Sequence, residues 1–165
     1  MKTLTLASIV AIAFAVTSFA HADDITCRIT YGDIDAQFPV FTVSGGVQRP
    51  YTTNWRAAGA PRFRPLMITK ALDAVSPELF KMAAEWANVQ SVDCLFYRPG
   101  PRRPKKTREL YFQITLKSVS ISDYFIQTSD GNVNESLEFL WRRMILEDHI
   151  TGTVVEHDFD EERPV

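Results

Sequence analysis

Two periods run along this chain. The first is two. Leu110, Phe112, Ile114 and Leu116 alternate strictly, the mark of a half-buried β-strand. The same spacing recurs in Ile25, Cys27 and Ile29, in Val92, Cys94 and Phe96, and in Leu137, Phe139 and Trp141. On the segment after Leu116, Val119, Ile121 and Phe125 are expected to face inward, with Ser118, Ser120 and Ser122 outward. Residues 38–43 read as a further strand, where Pro39 suits an edge or a strand start. Residues 150–155 read as the last. Gly32-Asp33-Ile34-Asp35 and Ser129-Asp130-Gly131-Asn132 supply turns.

The second period is 3.6, and it occurs once. Leu79, Met82, Ala83 and Trp86 fall at i, i+3, i+4 and i+7, with Glu78, Lys81, Glu85 and Asn88 opposite them. This predicts a helix over about 77–87, with Ser76 as N-cap, Pro77 at the first helical position and Trp86 in the core. About seven short antiparallel strands and one flanking helix make the chain mainly β, a two-sheet barrel or sandwich.

Periodicity fails in two places. Residues 44–65 hold Gly45-Gly46, Pro50, Gly59, Pro61 and Pro65. A loop that long in a small domain is usually functional or covers an edge. Its Arg49, Tyr51, Trp55 and Arg56 are residue types that protein interfaces favour, so they are candidate partner contacts; the alternative is a flexible insertion. Residues 98–108 form a proline-stiffened basic hairpin loop carrying Arg98, Arg102, Arg103, Lys105, Lys106 and Arg108. No aromatics interleave with these charges, which argues against nucleic acid. The C-terminal stretch carries Glu156, Asp158, Asp160, Glu161 and Glu162 and is expected to be loose. If the basic and acidic segments lie at opposite ends of the subunit, they are candidate contacts between copies of the chain.

The first 22 residues change the compartment. Lys2, an apolar run from Leu4 to Val16, and Ala20-His21-Ala22 make a secretory signal peptide, cleaved between Ala22 and Asp23. The run is short for a membrane span. The chain therefore reads as a leader, 1–22, and one domain, 23–165, exported to the periplasm or beyond and free of the membrane after cleavage. With 18 Lys+Arg against 20 Asp+Glu, charge makes no case for nucleic acid or anionic membrane as a partner. Cys27 and Cys94 both point inward, and an exported pair permits one disulfide; two buried thiols are the alternative.

Chemistry for catalysis is not found. His149 and His157 have no second ligand at metal spacing, and no phosphate loop or Gly-x-Ser-x-Gly elbow occurs. Asp33 and Asp35 are a carboxylate pair in a turn, where Asp is favoured anyway. Asn134-Glu135-Ser136 matches a glycosylation acceptor by pattern only. The expectation is a non-enzyme with no cofactor and no metal.

The stretch Ile68-Thr69-Lys70-Ala71-Leu72-Asp73-Ala74-Val75-Ser76-Pro77-Glu78-Leu79 resembles a motif of the Hcp family, the haemolysin-coregulated tube proteins of type VI secretion. Residues 111–124 resemble that family's central hairpin, and Glu135-Ser136-Leu137-Glu138-Phe139 its following strand, in the family's order. The resemblance implies a β-barrel of two sheets with one flanking helix. It also implies hexameric rings that stack into a hollow tube and carry effectors, with the chain itself, effectors, sheath and spike proteins as partners. Family tube subunits are normally made without a leader and assemble in the cytoplasm before secretion. The leader therefore supports an alternative, an exported non-enzymatic binding module on the same fold. The basic loop is also longer than the family's usual turn.

Overall fold

The computed structural model describes residues 24–50, 59–100, 108–129 and 131–159. Along the chain lie β1 (Asp24–Tyr31), β2 (Ile34–Val40), β3 (Thr42–Gln48), β4 (Arg62–Ala71), α1 (Ser76–Ala84), β5 (Val89–Pro99), β6 (Arg108–Ser129), β7 (Asn132–Asp148) and β8 (Thr153–Asp158). The strands form one antiparallel sheet in the order β2-β1-β5-β6-β7-β4-β3, with β8 also on β7. Mainly β with one helix is therefore the fold class.

The expected barrel is corrected, because the sheet is not closed. β2 and β3 are the two ends of its path, yet only Phe41 separates them in sequence. The sheet folds back until its ends meet at Phe41, and there the chain changes partner, from β1 to β4, without the ends pairing. Between its layers lie Ile29, Phe38, Ile68, Leu79, Val92, Leu116, Leu137 and Phe139, all buried.

The bend is built into β6, which is one continuous strand where alternation alone suggested two. Ser118 adopts a left-handed φ of 50°, unusual for a residue with a side chain. It switches the inward positions from Phe112, Ile114 and Leu116 to Val119 and Ile121. A bulge between Ile121 and Asp123 then shifts the register against β7, and Ser122 Oγ bonds the Glu138 carbonyl at 3.2 Å. The bulge turns Tyr124 inward and leaves Phe125 42% exposed, so the inward placement of Phe125 is corrected.

Other expectations are corrected by local detail. The helix ends at Ala84, with Glu85 as C-cap. Trp86 lies past it at a φ of 51° and is 60% exposed. The helical period ran on for two residues after the helix had stopped. Trp86→Ala should accordingly cost under about 1 kcal/mol, whereas Leu79→Ala should cost about 2–5 kcal/mol, measurable by urea unfolding. Ser76 is not the N-cap; Val75 is, without a side-chain cap bond, and Ser76 is buried. The expected irregular stretch is strand at its two ends: β3 runs to Gln48 and β4 begins at Arg62. Gly45-Gly46 marks a β-bulge, where a Cβ on Gly45 would meet Leu66 Cδ1 at 2.9 Å. The last strand begins at Thr153, after a turn through Gly152, and runs on to Asp158.

Candidate functional site

The motif of residues 68–79 converges on a buried polar network. Leu66, Ile68 and Lys70 alternate inward on β4, so Lys70 enters the core with two hydrophobes. Glu135, Leu137 and Phe139 do the same on β7. Neither Lys70 nor Glu135 has any exposed surface, and Lys70 Nζ lies 2.5 Å from Glu135 Oε1. The ammonium also reaches Asp73 Oδ1 and the Ala71 carbonyl, both at 2.9 Å, and sits 5.2 Å from the centre of the Phe38 ring.

The turn into α1 completes the shell. Ser76 Oγ donates to Glu135 Oε1 at 2.9 Å and accepts from the Asp73 amide at 2.9 Å. Asp73 Oδ1 accepts the Val75 amide at 2.8 Å, an Asx-type contact that starts the helix. The Tyr124 hydroxyl donates to Glu135 Oε2. Burial, with the bond to Glu135 second, raises the Tyr124 pKa. Five residues from β4, the turn, α1, β6 and β7 thus bind one another. A buried charge is tolerated only when paired and bonded on all sides, so the network holds those elements in one arrangement. Its polar groups face each other, which makes it an anchor; no reaction is assigned to it.

Sequence reading passed over Lys70 and Glu135 as members of a site. The signal was present: a charged residue at an inward strand position needs a buried partner of opposite sign.

On the opposite layer, Cys27 and Cys94 face each other across β1 and β5 and are joined as a disulfide, 67 residues apart in sequence. Both are wholly buried. On the outer surface Asp35 is held by Arg28, whose hydrogen bond lowers its pKa, so the Asp33/Asp35 turn places one carboxylate in an ion pair.

The other candidates are spread over the surface. Arg49 is exposed just past β3; Tyr51, Trp55 and Arg56 lie outside the described residues, as do Ala22 and Asp23. Arg98 bonds Glu109 at 3.1 Å, and Arg108 pairs with Asp24 at 2.6 Å. Glu156 pairs with Arg143 at 2.5 Å. Arg102, Arg103, Lys105, Lys106, Asp160, Glu161 and Glu162 lie outside the described residues. The expectation of a loose C-terminal stretch is corrected as far as Phe159. Glu156, His157 and Asp158 belong to β8, His157 stacks on Phe63 at 4.1 Å, and Phe159 packs against Phe63 and Trp141.

Register places the two charged segments. The basic loop leaves the sheet at Pro99↔Arg108, whereas Asp158 lies opposite Arg143, itself opposite Lys117. From Arg108 to Lys117 is about nine residues of β6, or roughly 30 Å of strand. Along β6, the row at which Arg108 resumes the sheet and the row that carries Asp158 are thus about nine residues apart.

A second feature is the pair of edges, free among the described residues, in the half-sheet β6-β7-β4-β3. β5 pairs with β6 only as far as Val89↔Val119, and among the described residues no strand pairs with that side of β6 beyond it. β3 is the far edge of the same half-sheet.

A sequence model of the family described as "Type VI secretion system effector, Hcp" matches residues 19–147. The chain belongs to the Hcp family. A search of curated protein sequences finds no match. Among solved structures, Hcp1 from the E. coli EAEC 042 pathovar, solved as a mutant, superposes with a TM-score of 0.75 at 16% identity, covering 84% of this chain and 99% of that one. Hcp3 of Pseudomonas aeruginosa, described as a secreted protein, gives 0.65 at 19% identity, with 82% and 99% covered. Hcp1 of Flavobacterium johnsoniae gives 0.56 at 13% identity, with 79% and 98% covered. At such identities these likenesses show the Hcp fold. The family match stops one residue before the end of β7, so β8 and the acidic residues beyond it fall outside it.

Proposed function

We propose that this chain is a ring-forming structural subunit of a type VI secretion system, six copies closing into a ring and rings stacking into a hollow tube that carries effectors. The observation that supports it is the half-sheet whose two edges, β6 beyond Val119 and β3, lie on opposite sides and are free among the described residues. An unpaired edge is a template for another strand. Two different edges on one subunit make a head-to-tail contact, which covers both only when the copies close into a ring. The number six, the tube, and sheath, spike and effector partners come from family membership. No catalytic step, cofactor or metal enters this reading.

Light scattering of the mature protein at micromolar concentration should give the mass of six chains. A strictly monomeric mass across that range overturns the ring. A second reading, an exported binding module on the same fold, is favoured by the Cys27–Cys94 disulfide, since such bonds persist in oxidising compartments. Mass spectrometry of the native N-terminus separates the two. A chain beginning at Asp23 folds outside the cytoplasm and favours the module; an intact leader favours cytoplasmic assembly.

A further inference from the structure

We infer that β8 is a removable strap, and that the place it fills between β4 and β7 is a docking site for an extended acidic segment with ring side chains two residues apart. The inference does not rest on the ring reading.

The site follows from how β4 leaves the sheet. β6 runs along one side of β7, so β4 and β8 share the other. β4 pairs with β7 only from Leu66↔Phe139 onward, and its residues Arg62 to Arg64 pair with β3. β8 takes up the vacated side of β7 from Arg143 to Asp148. Where β4 turns away, the rings of Phe63 and Trp141 stand edge to face at 5.7 Å. Two rings of the C-terminal strand close over them. His157 stacks on Phe63 at 4.1 Å, and Phe159 lies 4.9 Å from Phe63 and 5.0 Å from Trp141. The Phe159 amide donates to the Arg142 carbonyl at 3.0 Å, which continues the pairing with β7 past Asp158.

β8 is lightly held. None of its six residues is buried, and β7 is its one strand neighbour among the described residues. Val154 and Val155 are more than half exposed. What holds it is the edge pairing, the rings and the Glu156–Arg143 ion pair. One ring is an imperfect plug: His157 Nε2 is buried and has no hydrogen-bond partner among the described residues, which costs stability. Segments with few buried contacts open locally, well below the free energy of global unfolding. β5 is the contrast, paired on both sides with Val92 and Cys94 wholly buried.

Opening uncovers a strand edge beside two aromatic rings. An extended peptide adds to such an edge through its main chain, and its alternate side chains set specificity. The sequence Glu156-His157-Asp158-Phe159 shows the chemistry that fits: rings at alternate positions packed on Phe63, and acidic residues between them, with Glu156 on Arg143. A segment with the same alternation on another molecule competes with β8 for this place.

Amide exchange of the full chain in dilute solution tests the strap. Amides of β8 and Phe159 should exchange together, roughly a hundredfold or more faster than those of β5. His157→Phe keeps a stacked ring and removes the unpaired nitrogen, so β8 should open about tenfold less often. Phe159→Ala removes two ring contacts, so β8 should open about tenfold more often. A fluorescent peptide of residues 153–159, added to the full-length chains, tests the site. Its apparent affinity scales with the fraction of open straps, so relative to wild type it should tighten about tenfold on F159A and weaken about tenfold on H157F. The peptide carrying Glu156→Lys and Asp158→Lys should bind more weakly, and the one carrying His157→Ala and Phe159→Ala should not bind. Glu156→Gln, which breaks only the outer ion pair, replaces F159A if that chain does not fold. β8 amides that exchange at the rate of β5 overturn the strap. Peptide binding that is absent from the loosened chain, equal on all the chains, or indifferent to loss of the peptide's rings overturns the docking site.

Discussion

Replacing Lys70 with methionine should lower stability by about 3–5 kcal/mol, because Glu135 then keeps a buried charge without its cation. Glu135→Leu should cost a similar amount, leaving the Lys70 ammonium with Asp73 alone, whose side chain is partly exposed. The double variant K70M/E135L should be markedly less destabilised than the sum of the two. Apolar replacement of a whole buried pair is often neutral, whereas breaking one is not. Urea unfolding in dilute protein measures all three, since assembly would add its own concentration-dependent stability. Additive losses, or single losses under about 1 kcal/mol, would mean that the pair is hydrated and that the network does not anchor the fold.

The features that were legible in the sequence are those that neighbours decide. Alternation in Val92, Cys94 and Phe96 and in Leu137, Phe139 and Trp141 reports a half-buried strand whatever lies across from it. That suffices for a mainly antiparallel β fold with one helix. Closure is different in kind: whether β2 and β3 bond each other depends on the bend of β6, and that bend comes from the φ of Ser118 and the bulge at Ser122. Neither residue type announces it. The two periods also overrun. Trp86 continues the helical pattern after the backbone has left the helix, and Phe125 continues the strand pattern after the bulge has turned it over.

The candidate site was legible by half. Lys70 shares the parity of Leu66 and Ile68, a signal the sequence carries, but its partner stands on another strand 65 residues away, and pairing between β4 and β7 is set by the whole sheet. The motif that resembles the Hcp family was recognised as a run of letters. The structure gives it a physical content: Lys70, Asp73 and Ser76 are one side of a buried ion-pair shell, and Glu135 and Tyr124 are the other. The charge of the acidic C-terminal stretch predicts that it is loose. Its Phe159 and His157, packed on Phe63, outweigh that charge as far as Phe159.

Truncation after Phe159 should leave rings intact and reduce stacks to single rings at physiological salt. The cut removes Asp160, Glu161 and Glu162 against one Arg163. It spares β8 and the contacts of Phe159 with Phe63 and Trp141, so the fold is not its target. Arg108, where the chain resumes the sheet after the basic loop, is roughly 30 Å of strand from Lys117, in whose row Asp158 lies. A head-to-tail stack brings one end of a subunit against the other end of the next, so if the two segments lie at opposite ends, Arg102, Arg103, Lys105 and Lys106 meet those acids across the junction. Arg98, Arg108 and Glu156 contribute less, since each already pairs within its own chain. Exposed charges are screened within about 8 Å at physiological ionic strength, so intact stacks should shorten steeply as salt rises. Sedimentation across a salt series reads both effects. Charge reversal at Arg102, Arg103, Lys105 and Lys106 should reproduce the truncation, and combining reversal with the truncation should add nothing. Stacks of equal length in the truncated protein, with unchanged salt dependence, would assign the junction to uncharged surface and leave these residues as ordinary solvated charge.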